Sequence, residues 1–121
     1  MTTKQTATRL ERYARRYREL ARELAGIGYI AAGSVAPRYN QCGKANCRCH
    51  DDPPRLHGPY WQWTAKVDGK TVNRRLTEDE AMLYNEWIAN DRRVRALIAQ
   101  MREVAAKAQQ ILLEEAERKA G

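Results

Sequence analysis

Three cysteines fall close together, in the run Cys42-Gly43-Lys44-Ala45-Asn46-Cys47-Arg48-Cys49-His50, and a second histidine follows at His57. Thiolate and imidazole are preferred zinc ligands, and four of them close a tetrahedral site. Three Cys with one His supply that number. His57 is the preferred fourth ligand: His50 directly follows Cys49, and adjacent side chains point apart in an extended chain. The Pro53-Pro54 pair can turn His57 back toward the thiols, with His50 as the alternative. An iron–sulfur cluster wants four thiolates, and the chain has three. Lys44 and Arg48 would lower the cost of placing several thiolates together. A catalytic zinc keeps an open position and a general acid or base at hand. The only nearby carboxylates, Asp51 and Asp52, sit in a sequence that reads as exposed, so the zinc is expected to be structural. The competing reading is three buried thiols and two surface histidines.

The charge is divided along the chain. The 121 residues carry a net charge of +7. Residues 1–25 hold seven basic and three acidic side chains, residues 26–76 eight and three, and residues 77–121 seven and nine. A basic excess confined to the first two thirds points to an anionic partner there. No Ser-His-Asp set, phosphate loop or sheltered carboxylate pair is visible. The expectation is therefore a binding protein, not an enzyme, with no small-molecule substrate evident.

Three regions must position these residues: a basic amphipathic helix over 1–27, a zinc-loop and β-hairpin module over 28–76, and a long helix over 77–121. In the first, Leu10, Tyr13, Tyr17, Leu20, Leu24 and Ile27 alternate at spacings of three and four, one face of a helix over about 5–25. Gly26 suits the left-handed cap position. In the second, Tyr29–Tyr39 reads as a short extended segment and Gln41–Pro54 as an irregular loop. Tyr60–Val67 and Lys70–Leu76 read as strands joined by Asp68-Gly69, a tight-turn signal. Alternation sets Tyr60, Gln62, Thr64 and Lys66 on one face and Trp61, Trp63, Ala65 and Val67 on the other. The tryptophan face should pack on helices; the other, with Lys66 and Arg74 or Arg75, should meet a partner. In the third, Thr77 with Glu80 forms a capping box, and neither Gly nor Pro interrupts the run before Gly121. A helix of some 60 Å outruns what a compact monomer of this size can cover. That calls for a break near Asn90-Asp91 or, more simply, a partner helix. Asp91 and Glu115 at seam-like positions argue against a long regular coiled coil.

A sheet or ribbon presenting Lys and Arg is a known shape for a DNA groove. Candidate phosphate contacts are Arg38, Lys44, Arg48, Lys66, Lys70, Arg74 and Arg75. The competing reading is a solvated hairpin whose charges protect an edge strand. The N-terminus has no apolar signal core and no membrane-length apolar run occurs, so a cytoplasmic, reducing setting is expected.

The residues Gly33-Ser34, Arg38-Tyr39, Cys42-Gly43-Lys44, Cys47-Arg48-Cys49, His57-Gly58-Pro59-Tyr60-Trp61, Gly69-Lys70-Thr71 and Arg75-Leu76 resemble an uncharacterised family of short bacterial proteins, a domain of unknown function. That family carries a CGK-x2-C-x-C…HGPY-aromatic signature, and the resemblance spans about residues 28–100. It implies that the cysteines act as a unit with the HGPY segment, favouring His57 over His50, and that the chain comes from a bacterial chromosome or mobile element. It assigns no reaction.

The expectation is an α+β protein: an N-terminal helix, a small antiparallel sheet with a zinc-binding loop, and a long C-terminal helix. The helices are expected to pack as an intermolecular bundle, giving a homodimer or higher homo-oligomer. Its function is expected to be zinc-stabilised binding of nucleic acid, DNA above RNA. The alternative is a helical assembly module in which zinc is only a staple.

Overall fold

The computed structural model describes residues 2–121. The element order is α1 (Thr3–Ala25), β1 (Ser34–Asn40), a 3-10 turn (Arg48–His50), β2 (His57–Val67), β3 (Lys70–Leu76) and α2 (Glu78–Ala120), an α+β architecture. The chain divides into two compact units. Residues 29–91 form one, and residues 1–28 with 92–121 form the other.

The first unit is built on a three-stranded antiparallel sheet in the order β1-β2-β3. Asp68 and Gly69 both take positive φ, at 51° and 77°. This is the backbone that a two-residue turn needs to match the twist of its strands. The turn sets Val67 opposite Lys70 and so fixes the register: Trp63 faces Arg74, Gln62 faces Arg75 and Trp61 faces Leu76. On the other side of β2, Val35 faces Trp63 and Arg38 faces Tyr60 before the register shifts at Arg38/Asn40.

One sheet face packs on α2. The Trp63 ring lies 5.0 Å from that of Tyr84, which lies 5.1 Å from Trp87 edge-on. Ala65, Leu76, Ala81 and Ile88 are buried with them. The chain entering β1 is tied to the same helix: Ala31 N–H donates to the Trp87 carbonyl, and the Asn90 side-chain amide donates to the Tyr29 carbonyl at 2.8 Å. Gly33 is required there. Its φ is +98°, and a Cβ would lie 2.3 Å from the Thr64 carbonyl oxygen.

The expected capping box starts α2: Glu80 N–H donates to the Thr77 hydroxyl, and Thr77 N–H to the Glu80 carboxylate at 2.9 Å. That bond with the Thr77 backbone, ahead of the nearby Arg74 charge, holds the Glu80 carboxyl below its usual range. The helix runs unbroken through Asn90 and Asp91, so the break considered there is absent. Its hydrogen-bond ladder never meets a Gly or Pro that would interrupt it.

The second unit pairs α1 with the later part of α2. A second capping box, from Thr2 and Gln5, starts α1. Gly26 ends it in the right-handed region, at φ −84°, not in the expected left-handed cap. Its N–H closes onto the Arg22 and Glu23 carbonyls, so the last turn tightens without reversing hand. Leu20 and Leu97 are the fully buried side chains here. Arg93 pairs with Glu23 at 2.9 Å, an exposed bridge worth little in water. Among the described residues, no helix is long and apolar enough to cross a membrane.

Candidate metal centre

The segment from Gln41 to Leu56 has almost no core of its own. Among its residues only Cys49 is buried, with Cys42 and Cys47 half-buried and the rest exposed. Short local bonds shape it. Cys47 N–H donates to the Lys44 carbonyl, His50 N–H to Cys47, and both Asp51 and Arg55 N–H to Arg48. These fold the loop into the 3-10 turn that aims Cys49 inward. His57 opens β2 and reaches the loop from the sheet.

The result is a Cys3His cluster. Cys42, Cys47, Cys49 and His57 each present a ligand atom, and these atoms all lie within 4.8 Å of one another. The Cys42 and Cys49 sulfurs are 3.7 Å apart, and Cys47 Sγ lies 3.0 Å from His57 Nε2. A tetrahedral ion with metal–sulfur bonds near 2.3 Å spaces its sulfurs about 3.8 Å apart. The cysteines are not disulfide-bonded. The donor set, its number and its spacing fit one four-coordinate metal ion.

Outer groups hold the ligands in place, as metal sites require. Cys42 N–H donates to Cys49 Sγ at 3.3 Å, and the Gln41 amide donates to the Cys49 carbonyl at 3.0 Å. His50 is not brought into the cluster: its Nε2 pairs with the Cys42 carbonyl at 3.0 Å. The alternative fourth ligand is thus a loop clasp. Neither Asp51 nor Asp52 joins the cluster, and Asp51 is taken up by Arg55 at 2.9 Å.

The thiols differ in acidity. Cys47 is pushed down to about 6, chiefly by the Cys49 backbone N–H and further by side-chain hydrogen bonds from Cys49, His57 and Cys42. Burial pushes Cys49 up. A dication would favour the thiolate at all three.

Gly58 lets β2 start beside the site. Its φ is +131°, and a Cβ there would lie 2.5 Å from the Arg38 carbonyl oxygen. Only a residue without a side chain lets His57 follow β1 this closely.

The basic candidates separate into three groups. Arg38, Lys66 and Arg75 share the sheet face turned away from α2. Lys70 and Arg74 lie on the opposite face, where Arg74 reaches Glu80 at 3.3 Å. Lys44 and Arg48 are exposed in the metal loop. Of Arg74 and Arg75, then, Arg75 faces outward. Its guanidinium stacks 3.8 Å from the Tyr60 ring centroid, and Arg38 Nε donates to Gln62 Oε1 at 3.1 Å. Gln62, Tyr60 and Asn73 were not among the candidate contacts, yet they line a concavity of about 230 Å³ with Arg38 and Arg75. The two-residue turn carried the signal, because it sets Gln62 opposite Arg75.

Neither a curated protein nor a solved structure matches this chain. Residues 10–85 match the family described as a domain of unknown function, DUF6788. That stretch takes in most of α1, outside the span of the resemblance noted from the motifs, and ends within α2 at Leu83-Tyr84-Asn85, short of the expected residue 100. With more than half of its length inside that match, and with the Cys3His cluster and the HGPY strand at its centre, the chain belongs to the DUF6788 family.

Proposed function

We propose that the chain is a nucleic-acid-binding protein whose sheet is held in place by a structural zinc ion. Zinc is the metal that three thiolates and one imidazole suit best, and a closed four-ligand set leaves no position for substrate. The observation that carries the binding reading is the charge of the sheet. Its face turned away from α2 presents Arg38, Lys66 and Arg75, and none of the three strands holds a carboxylate. An acid-free basic surface is an electrostatic footprint for phosphates.

The test is a titration of labelled duplex DNA at several salt concentrations. Each phosphate contact contributes about −0.9 to the slope of log K against log salt. Replacing both Arg38 and Lys66 by Ala is expected to lower that slope by about 2. Failure to bind either DNA or RNA at about 50 mM salt overturns the reading.

The helical unit favours a second property, self-association. Tyr17, Leu112 and Leu113 are exposed, and Leu10, Tyr17, Val104, Ala108 and Leu112 line a groove of about 530 Å³. A helix pair that, among the described residues, buries only Leu20 and Leu97 fully is thin by itself, and the same stripe on a second copy would complete a four-helix bundle. Light scattering is expected to give near twice the 13.9 kDa chain mass, reverting to one chain in Leu112→Glu. A parent that stays monomeric at tens of micromolar rules this out. A dimer indifferent to nucleic acid would instead favour the assembly-module reading.

A further inference from the structure

We propose that Arg75 and Gln62 form a base-reading pair for the major groove of duplex DNA, with Arg75 on a guanine and Gln62 on an adenine of a neighbouring base pair. The assignment rests on the nucleic-acid reading above. It also separates these two residues from Arg38 and Lys66, which would contact phosphate.

The pair sits at the middle of the outward face. Gln62 is directly opposite Arg75 on β3 and opposite the small Ala36 on β1. Both side chains are pre-arranged. The guanidinium carbon of Arg75 sits over the Tyr60 ring, 3.8 Å from its centroid, and a planar fork held there would have N–H groups to offer two acceptors. Guanine O6 and N7 present such a pair in the major groove. Gln62 Oε1 accepts from Arg38 Nε at 3.1 Å, which fixes the amide and leaves its NH2 to donate. The second lone pair of Oε1 with that NH2 matches the N6 donor and N7 acceptor of adenine.

Two further observations favour a duplex. Single-strand binders stack bases on open aromatic rings. On the face that carries Arg75 and Gln62 the Tyr60 ring is covered by Arg75, and the exposed rings of the unit, Tyr29 and Tyr39, lie before β1 and near its end. The major groove, about 12 Å wide, admits a two-stranded β-ribbon, and β2 and β3, which carry Gln62 and Arg75, pair as one at about 4.8 Å spacing. The major groove of A-form RNA is too narrow to admit it.

The experiment is selection of the metal-loaded full chain on a randomised duplex DNA pool, followed by titration of single-base variants of the enriched site. A guanine is expected at one position, and changing it should weaken the parent about 5- to 100-fold. Arg75→Ala should lose that discrimination. Gln62→Ala should lose it at the neighbouring adenine, and Lys66→Ala should weaken every site equally. Circular dichroism and metal content of each variant check that the fold is retained. If duplex DNA binds but Arg75→Ala and Gln62→Ala keep the parent's base preferences, this assignment falls and the binding reading stands. Equal or tighter binding to single-stranded DNA or duplex RNA also overturns it. If no nucleic acid binds, both fall.

Discussion

Removing the metal, by chelation or by Cys47→Ala, is expected to unfold the segment from Gln41 to His57 and to leave the helices largely intact. That segment has one buried side chain, Cys49, and four main-chain hydrogen bonds confined to the loop. Such bonds contribute about 1 kcal/mol each, whereas fixing each residue costs about 1–2 kcal/mol. A structural zinc site, worth about 10–16 kcal/mol, is by far the largest favourable contribution open to this loop. Cys47 is the better residue to replace, because it is half-buried and its loss leaves little cavity, while truncating the fully buried Cys49 would mix a packing defect with the loss of a ligand. Neither α1 nor α2 contributes a ligand, so the helical circular dichroism should change little. Elemental analysis is expected to find about one zinc per parent chain and much less in the variant. Amide signals of residues 41–57 should collapse in the apo form. A parent that purifies without metal, or a Cys47→Ala chain with native signals in the loop, would defeat the structural-zinc reading.

The same residues explain why the site was legible in sequence. Ligand type and number are written in the chain, and a loop so poor in core-forming residues has few other ways to order itself. His50 was the ambiguous one. Its exclusion depends on the 3-10 turn, which points it at the Cys42 carbonyl, and a turn of three residues has no periodic signature. The hairpin and the cap of α2 were legible because Asp68-Gly69 and Thr77–Glu80 act over three or four residues. The pairing of β1 with β2 was not, since it joins residues 17 to 30 positions apart across an irregular loop, with a register shift after Arg38. For that reason Arg38 could be named as a candidate contact without being placed beside Gln62. Gly26 shows the limit of residue preference: glycine allows the left-handed cap but does not impose it.

Trp63→Ala is expected to cost about 3 kcal/mol or more in the stability of the sheet unit, the low end of the range for truncating a large aromatic because Trp63 is only half-buried. Three separate links pass through this side chain. Its ring meets Tyr84 at 5.0 Å and joins the sheet to α2. Its Nε1–H donates to the Ala32 carbonyl at 2.8 Å and fixes the chain just before β1. Its Nε1 also fills the space beside Gly33, where an added Cβ would come within 2.9 Å. Trp63→Phe separates these effects: it keeps most of the apolar contact and loses the hydrogen bond, for an expected cost of about 1 kcal/mol. Denaturant melts in metal-saturated buffer measure both, and zinc content should stay at the parent value, because Trp63 touches no ligand in the cluster. A Trp63→Ala chain within 1 kcal/mol of the parent would show that the sheet does not depend on this contact with α2. The functional consequence follows from the register. Arg38 is aligned with Gln62 only while β1 is held beside β2, so loosening the entry to β1 should weaken nucleic-acid binding even though Trp63 lies on the opposite face. Binding that falls with stability in Trp63→Ala but survives in Trp63→Phe would locate the effect in packing and not in the lost bond.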